Sequence, residues 1–140
     1  MKTITLILLT ALFVQISPGC TRSHSISENT NMEEQIYTLG AWQVKEGKQQ
    51  EFIGAWKELG EVFGALPDPP GKGILIQSTS NPALFYSFGP WNSMEAVEAM
   101  RNNPEAQQGI RKLIDLCTES SPGSYRVVAE SEVPRKLSKM

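Results

Sequence analysis

Hydrophobic residues recur along the chain with two different periods, which separate the predicted strands from the predicted helices. Segment 36–44 is rich in β-branched and aromatic residues and predicts a strand with apolar side chains on both faces. In segment 48–65 large apolar residues recur at the spacing of one helical stripe, formed by Phe52, Trp56, Leu59 and Phe63. Lys57 and Glu61 fall on the opposite side of this predicted helix, where we expect them to face solvent.

A loop rich in glycine and proline, residues 64–73, ends this helix and precedes a predicted hairpin. Two strand-like segments, 74–80 and 83–91, are separated by a turn at Asn81-Pro82. Alternation along the second strand defines two faces, one with Leu84, Tyr86 and Phe88, the other with Phe85 and Ser87.

Two capping signals mark the next helical region. Ser93 is suited to cap a helix over 94–103, and Asn103 followed by Pro104 indicates that a helix restarts there. The restarted helix is expected to extend to residue 120, with an apolar stripe formed by Ala106, Ile110, Leu113 and Cys117. After a break at Ser-Pro-Gly, segment 124–133 predicts the last strand.

The predicted order is β-α-β-β-α-β, which is typical of the ferredoxin-like α+β fold: an antiparallel four-stranded sheet with two helices on one face. The other face of such a sheet would carry large apolar residues without a helix to cover them. A large exposed apolar face usually marks an interaction surface. We therefore expect a homodimer in which two sheets pack face to face.

The first 34 residues have a different character. Residues 1–19 combine Lys2, an uncharged apolar run and small residues, which is the pattern of a secretory signal peptide. Cys20 follows at the position of a lipidated cysteine, so a membrane-anchored lipoprotein on the periplasmic or outer-membrane side and a secreted protein are both open interpretations. Polar residues up to 34 predict a flexible tether, 35–131 the folded domain, and 132–140 a polar tail.

Charge and chemistry exclude several classes of function. The net charge is −2 and no basic patch occurs, which argues against nucleic-acid binding. The only histidine, His24, lies in the predicted tether, so Cys117 lacks a base partner and is expected to be a buried, inert thiol. No metal-ligand spacing and no phosphate-binding loop is present, and we expect neither a metal nor a bound cofactor.

Three segments resemble the antibiotic biosynthesis monooxygenase-like domains of the dimeric α+β barrel superfamily: residues 42–59, 85–105 and 122–130. In that family a strand leads through a Lys-x-Gly-Lys-type turn into the first helix, and the third strand ends at a tryptophan before a Ser-x-Glu-Ala helix start. The resemblance implies this fold and a dimer. It implies an activity less directly, because related folds serve unrelated functions.

The resemblance also suggests site residues. Cofactor-free monooxygenases of the family hold an aromatic substrate beside a tryptophan that corresponds to Trp91. Ser87 stands where an asparagine can occur, and it offers fewer hydrogen-bonding groups than an amide. The haem-degrading branch uses an asparagine on the first strand and a histidine on the second helix; both are missing here, which argues against haem as a cofactor.

The candidate substrate-binding residues are Trp91, Tyr86, Phe88 and Trp42, and the catalytic candidates are Trp91, Tyr86 and Ser87. We expect Trp91 to line a cavity between sheet and helices, with the 64–73 loop as its lid. The alternative is that the same aromatic residues only pack the core. Two functions stay open: a cofactor-independent oxygenase for a small quinol-type aromatic, or a non-catalytic dimeric module that binds a small hydrophobic ligand.

Overall fold

The computed structural model describes residues 34–133. The predicted signal peptide, Cys20, the tether before residue 34 and the tail after residue 133 lie outside the described residues. The described part contains four strands and three helices, in the order β1 (Ile36–Val44), α1 (Gln49–Gly64), β2 (Ile74–Gln77), β3 (Leu84–Trp91), α2 (Met94–Arg101), α3 (Pro104–Asp115) and β4 (Cys117–Arg126).

The four strands form one antiparallel sheet in the order β2-β3-β1-β4. The β1 strand lies in the middle, where Thr38 pairs with Gly89 of β3 on one side and with Ser124 of β4 on the other. This is the α+β, ferredoxin-like arrangement that the residue pattern predicts. The second predicted helix is two helices, α2 and α3, because Asn103 and Pro104 interrupt it as the sequence indicates.

Both predicted N-caps are confirmed. The Ser93 hydroxyl accepts a hydrogen bond from the Ala96 backbone N–H at 3.1 Å, and Asn103 Oδ1 accepts one from the Ala106 N–H at 2.9 Å. These side chains satisfy backbone donors that the first turn of a helix leaves free. They fix where α2 and α3 start after β3.

The boundary between α3 and β4 differs from the sequence expectation. The helix ends at Asp115 instead of residue 120, and the last strand is Cys117–Arg126 instead of 124–133. Pro122 and Gly123 lie within the strand. Proline is tolerated there because β4 is an edge strand, where only one side of the backbone is needed for pairing.

The helices cover one face of the sheet, which we call the inner face. Two apolar clusters lie between this face and the helices, one around Trp42, Phe52 and Phe85, the other around Trp91 and Val97. Phe52, Phe85 and Val97 are at most 1% exposed. The two clusters are the core of the domain.

The opposite, outer face of the sheet is apolar and has no helix over it in the part of the chain described. Its partly exposed members lie on β2, β3 and β4, and they are Ile74, Ile76, Tyr86 and Tyr125. Tyr86 pairs with Ile76 and Ala41, so the large side chains are contiguous across the strands. The sequence prediction of an uncovered apolar face is confirmed for the described chain.

Candidate functional site

A cavity of about 850 Å³ lies between the inner face of the sheet, helix α1 and the loop that follows it. This is within the range of 300–1,000 Å³ typical of small-molecule sites. The sheet contributes Thr38–Gly40 and Ser87–Gly89 as its floor. The walls are predominantly aromatic and aliphatic.

Two glycines lie on this floor between the two tryptophans, and neighbouring atoms approach both of them closely. Gly40 pairs with Ser87, and Gly89 pairs with Thr38, so each cross-strand row combines a glycine with a hydroxyl. Adding a Cβ at Gly40 would place it 2.5 Å from the Trp42 indole. At Gly89 it would lie 3.2 Å from the Gly73 backbone. A side chain at Gly40 would displace the Trp42 indole, and one at Gly89 would push the Gly73 backbone by a few tenths of an ångström, so both glycines permit close packing at the floor.

Two crossed hydrogen bonds link the tryptophans to this floor. The Trp42 indole N–H on β1 donates to Ser87 Oγ on β3 at 2.9 Å, and the Trp91 indole N–H on β3 donates to Thr38 Oγ1 on β1 at 2.9 Å. Each indole is thereby fixed against the floor, and the Trp42 indole lies over Gly40. A hydroxyl that accepts one hydrogen bond can still donate its own proton. Ser87 and Thr38 can therefore both donate to a ligand oxygen.

Trp91 serves the core and the cavity together. Its side chain is 5% exposed, packs edge-on against Phe63 with ring centroids 5.5 Å apart, and also lines the cavity. Trp42 is 4% exposed and packs against Phe52 at 5.7 Å. The two interpretations of Trp91 that the sequence left open, cavity wall and core packing, are thus not exclusive.

Helix α1 covers the cavity with one face. Trp56, Gly60 and Gly64 are spaced four residues apart and all line it. Lys57 and Glu61 also line it, although the sequence placed them on the solvent side of α1. Both residues are exposed, as the sequence predicts, and they lie at the rim of the cavity. Their position beside the cavity was not predicted.

The loop after α1 reaches the cavity through Pro70–Gly73. It is attached at three points. Leu66 is buried in the core, the Asn92 amide donates to Asp68 Oδ1 at 2.5 Å, and the Gly71 N–H donates to the Pro90 carbonyl at 2.9 Å. The loop is therefore a fixed wall in this structure; its role as a lid stays a prediction.

The candidate residues do not all meet in one place. Four of the candidates line the cavity: Trp91, Trp42, Ser87 and Phe88. Phe88 does so from a strand position whose side chain points to the outer face of the sheet. Tyr86 does not line it: it lies on the outer face and is 40% exposed. The grouping of Tyr86 with Trp91 is thus not reproduced, because neighbouring strand residues separated by an odd number of positions point to opposite faces.

The polar chemistry of the cavity is limited. Among the described residues that line it, Glu61 is the one that carries a carboxylate, whereas Lys57, Lys72 and Arg101 carry positive charge. Within residues 34–133 no cluster of acidic, cysteine or histidine side chains is placed to bind a metal ion. No described helix is both long and apolar enough to cross a membrane.

Cys117 lies outside this cavity, as the first residue of β4 rather than on a helix. Its thiol is free and 8% exposed. Burial raises its pKa above the ordinary value, against a smaller lowering effect of the Lys45 charge. The predicted buried thiol is confirmed, and a raised pKa disfavours the nucleophilic thiolate.

No protein-family profile matches this sequence, and no curated protein matches it either. Solved structures do share its fold. A variant of SnoaB, a cofactor-independent oxygenase from Streptomyces nogalater, superposes with a TM-score of 0.61 at 17% identity, over 71% of this chain and 97% of the other. A proposed antibiotic biosynthesis monooxygenase from Bordetella bronchiseptica superposes with a TM-score of 0.59 at 14% identity, over 69% of this chain and 99% of the other. A conserved protein from Methanosarcina mazei superposes with a TM-score of 0.59 at 21% identity, over 67% of this chain and 93% of the other.

These similarities establish the fold of the antibiotic biosynthesis monooxygenase-like proteins for this chain. They cover nearly the whole length of each neighbour. At such low identity they do not transfer a substrate or a reaction, because one fold hosts many functions.

Proposed function

We propose that the protein binds a small, quinol-type aromatic molecule in this cavity and oxidises it with O2, without a cofactor. The observation that carries the proposal is the pair of hydroxyls, Thr38 and Ser87, held by indole N–H groups on the floor of an apolar cavity. The apolar walls suit an aromatic ring, and the hydroxyls suit its oxygen atoms. The oxygenase neighbour is consistent with this reaction class.

The hydroxyls would act on the ionised substrate. A phenolate oxygen above the floor would accept hydrogen bonds from the hydroxyls of Thr38 and Ser87. These hydroxyls are polarised because each already accepts a hydrogen bond from an indole N–H. Donors fixed in place stabilise such an anion without the reorganisation that water molecules would need. Glu61 at the rim is the lining group that can accept the proton the substrate loses.

The reaction balances without a cofactor. A quinol that loses two hydrogens and gains one oxygen atom supplies all four electrons that O2 takes up, and the second oxygen atom leaves as water. For 1,4-dihydroxynaphthalene the product is 2-hydroxy-1,4-naphthoquinone. The protein contributes a bound orientation and stabilisation of the reactive anion.

Labelled oxygen tests this reaction directly. Incubation of the protein and 1,4-dihydroxynaphthalene with oxygen-18-labelled O2 should give hydroxynaphthoquinone with one labelled atom, faster than spontaneous oxidation. Glu61→Gln should lower the rate by roughly 100-fold or more, the usual size of a general-base contribution. Glu58→Gln, a nearby carboxylate on α1 that does not line the cavity, should not. A rate equal to the background in the unaltered protein would refute the oxygenase proposal.

A second function is favoured by one observation: the groups on the floor are hydroxyls that already accept a hydrogen bond, and hydroxyls are weak bases. The domain would then bind a small hydrophobic ligand without converting it. Anaerobic binding of 1,4-dihydroxynaphthalene together with a background oxidation rate would support this alternative. Binding with labelled product would support the oxygenase.

We also propose that the protein is exported and anchored to a membrane through a lipid on Cys20. The support is the order of charge, apolar run and small residues in positions 1–19 before that cysteine. Cells expressing the full chain should show it in the detergent phase, and Cys20→Ser should move it to the soluble fraction. The full chain in the soluble fraction would leave secretion as the remaining interpretation.

Finally, we propose a homodimer that packs the outer sheet faces together. The exposed apolar side chains of Ile76, Tyr86 and Tyr125 support it, since burying such a face is favourable and an isologous contact needs one surface only. Residues 33–140 should sediment as a dimer, and Ile76→Lys should yield monomer. Thr79→Lys, in the turn after β2, is the matched control. A monomeric parent protein at micromolar concentration would refute the dimer.

A further inference from the structure

The cavity has a polar end that the proposed reaction does not use. The row of inner-face residues that contains Gly89 and Thr38 continues onto the edge strand β4 at Ser124. There the Arg101 guanidinium, at the end of α2, donates to Ser124 Oγ at 3.0 Å and to Glu98 Oε1 at 2.7 Å. Arg101 lines the cavity, and Ser124 follows the lining residue Gly123 on β4 without lining the cavity itself.

Arg101 and Ser124 retain hydrogen-bonding capacity at this end. A guanidinium has five N–H donors, and the contacts to Ser124 and Glu98 use two of them. The Ser124 hydroxyl accepts from Arg101 and can still donate its own proton, as Thr38 can beside it. Together they offer convergent donors that fit a carboxylate or a similar oxyanion.

The charge around the cavity favours the same ligand chemistry. Among the described residues that line it, Lys57, Lys72 and Arg101 are positive and Glu61 is negative, while Glu98 pairs with Arg101 from outside the lining; the whole chain has a net charge of −2. A cavity whose rim is positive on a negatively charged protein attracts anions. Paired strand residues lie roughly 5 Å apart, so an acidic group at Ser124 would leave the attached ring beside Thr38 and Trp91.

From these observations we infer that the ligand of this cavity is an aromatic acid, whose carboxylate binds Arg101 and Ser124 while its ring lies between Trp42 and Trp91. The inference rests on the proposed function for the position of the ring. It adds the class of ligand. The ligand is an aromatic molecule with an ionised substituent, and the distance between this substituent and the ring is about the spacing between two neighbouring strands.

Two probes of the same shape test the inference: 2-naphthoate and its neutral amide, 2-naphthamide. Calorimetric titration of the domain should show tighter binding of naphthoate, with an advantage that falls as salt is raised. Arg101→Gln should weaken naphthoate binding about tenfold, the effect of losing one charge-assisted hydrogen bond, and leave naphthamide unchanged. Ser124→Ala should weaken naphthoate in the same direction.

Arg111→Gln is the control, because it removes the same charge from α3 at an exposed position that does not line this cavity. It should leave the affinities for both probes unchanged. Arg101 is exposed enough, 43% of its side chain, that its exchange should not unfold the domain, and circular dichroism can verify this. Equal affinity for the two probes, or an Arg101→Gln variant with the parental preference, would overturn the inference alone. Binding of neither probe would overturn the cavity proposal with it.

Discussion

Gly60 allows the cavity to be filled without loss of stability. It lies in the middle of α1 and lines the cavity, and a Cβ added there would meet no atom within 4 Å. Gly60→Leu should therefore introduce a side chain into the space that a ligand would occupy. Gly54→Leu is a matched control, since Gly54 lies in the same helix, also has open space at its Cβ, and does not line this cavity.

Both variants should raise the free energy of unfolding. Glycine costs a helix interior about 0.8–1.0 kcal/mol relative to alanine, and leucine is nearly as favourable as alanine. We expect each exchange to stabilise the domain by about 0.5–1 kcal/mol, measured by urea denaturation. A loss of stability in Gly60→Leu alone would show that the space above Gly60 is not open.

The two variants should differ in binding. Forcing a ligand into a site with excess side-chain volume costs about 1–3 kcal/mol, so Gly60→Leu should weaken anaerobic binding of 1,4-dihydroxynaphthalene by roughly 5- to 150-fold. Gly54→Leu should bind with parental affinity. If calorimetry gives the same affinity for both variants and the parent, the ligand does not occupy this cavity.

Two further predictions concern stability. Trp91→Phe and Thr38→Val each remove one partner of the same hydrogen bond, so a double-mutant cycle should give a coupling of about 0.5–1.5 kcal/mol; additive effects would mean that the bond contributes nothing. Because burial raises the pKa of Cys117, the unfolded state ionises first, and the free energy of unfolding should fall as pH rises above 9.0. Cys117→Ala should reduce that slope, and an identical slope in both proteins would contradict the assignment.

The fold was largely readable from the sequence because its signals are local. The strand 36–44, the α1 stripe and the caps at Ser93 and Asn103 depend on neighbours in the chain, and the structure confirms each of them. The start of β4, by contrast, does not depend on its neighbours in the chain. Residues 117–123 combine serines, a proline and a glycine, and they are extended because they pair with β1, a contact between distant parts of the chain.

The site was readable only in part, for a similar reason. Alternation along β1 puts Thr38 and Gly40 on the same face as Trp42, so this much of the floor follows from the sequence. What alternation could not supply was the register with β3, which places Gly89 beside Thr38 and Ser87 beside Gly40. Lys57 and Glu61 are exposed as predicted, and their position at the cavity rim depends on the distant sheet and loop that complete the cavity, which the helix pattern alone does not contain.

An aromatic ligand bound in the cavity should lie between Trp42 and Trp91. The most direct measurement is the set of intermolecular nuclear Overhauser effects between the ring protons of bound 2-naphthoate and the three tryptophan side chains. Binding in the cavity should give contacts to the indole protons of Trp42 and Trp91. Contacts to Tyr86 and Tyr125 without any to the tryptophans would place the ligand on the outer sheet face and contradict the account.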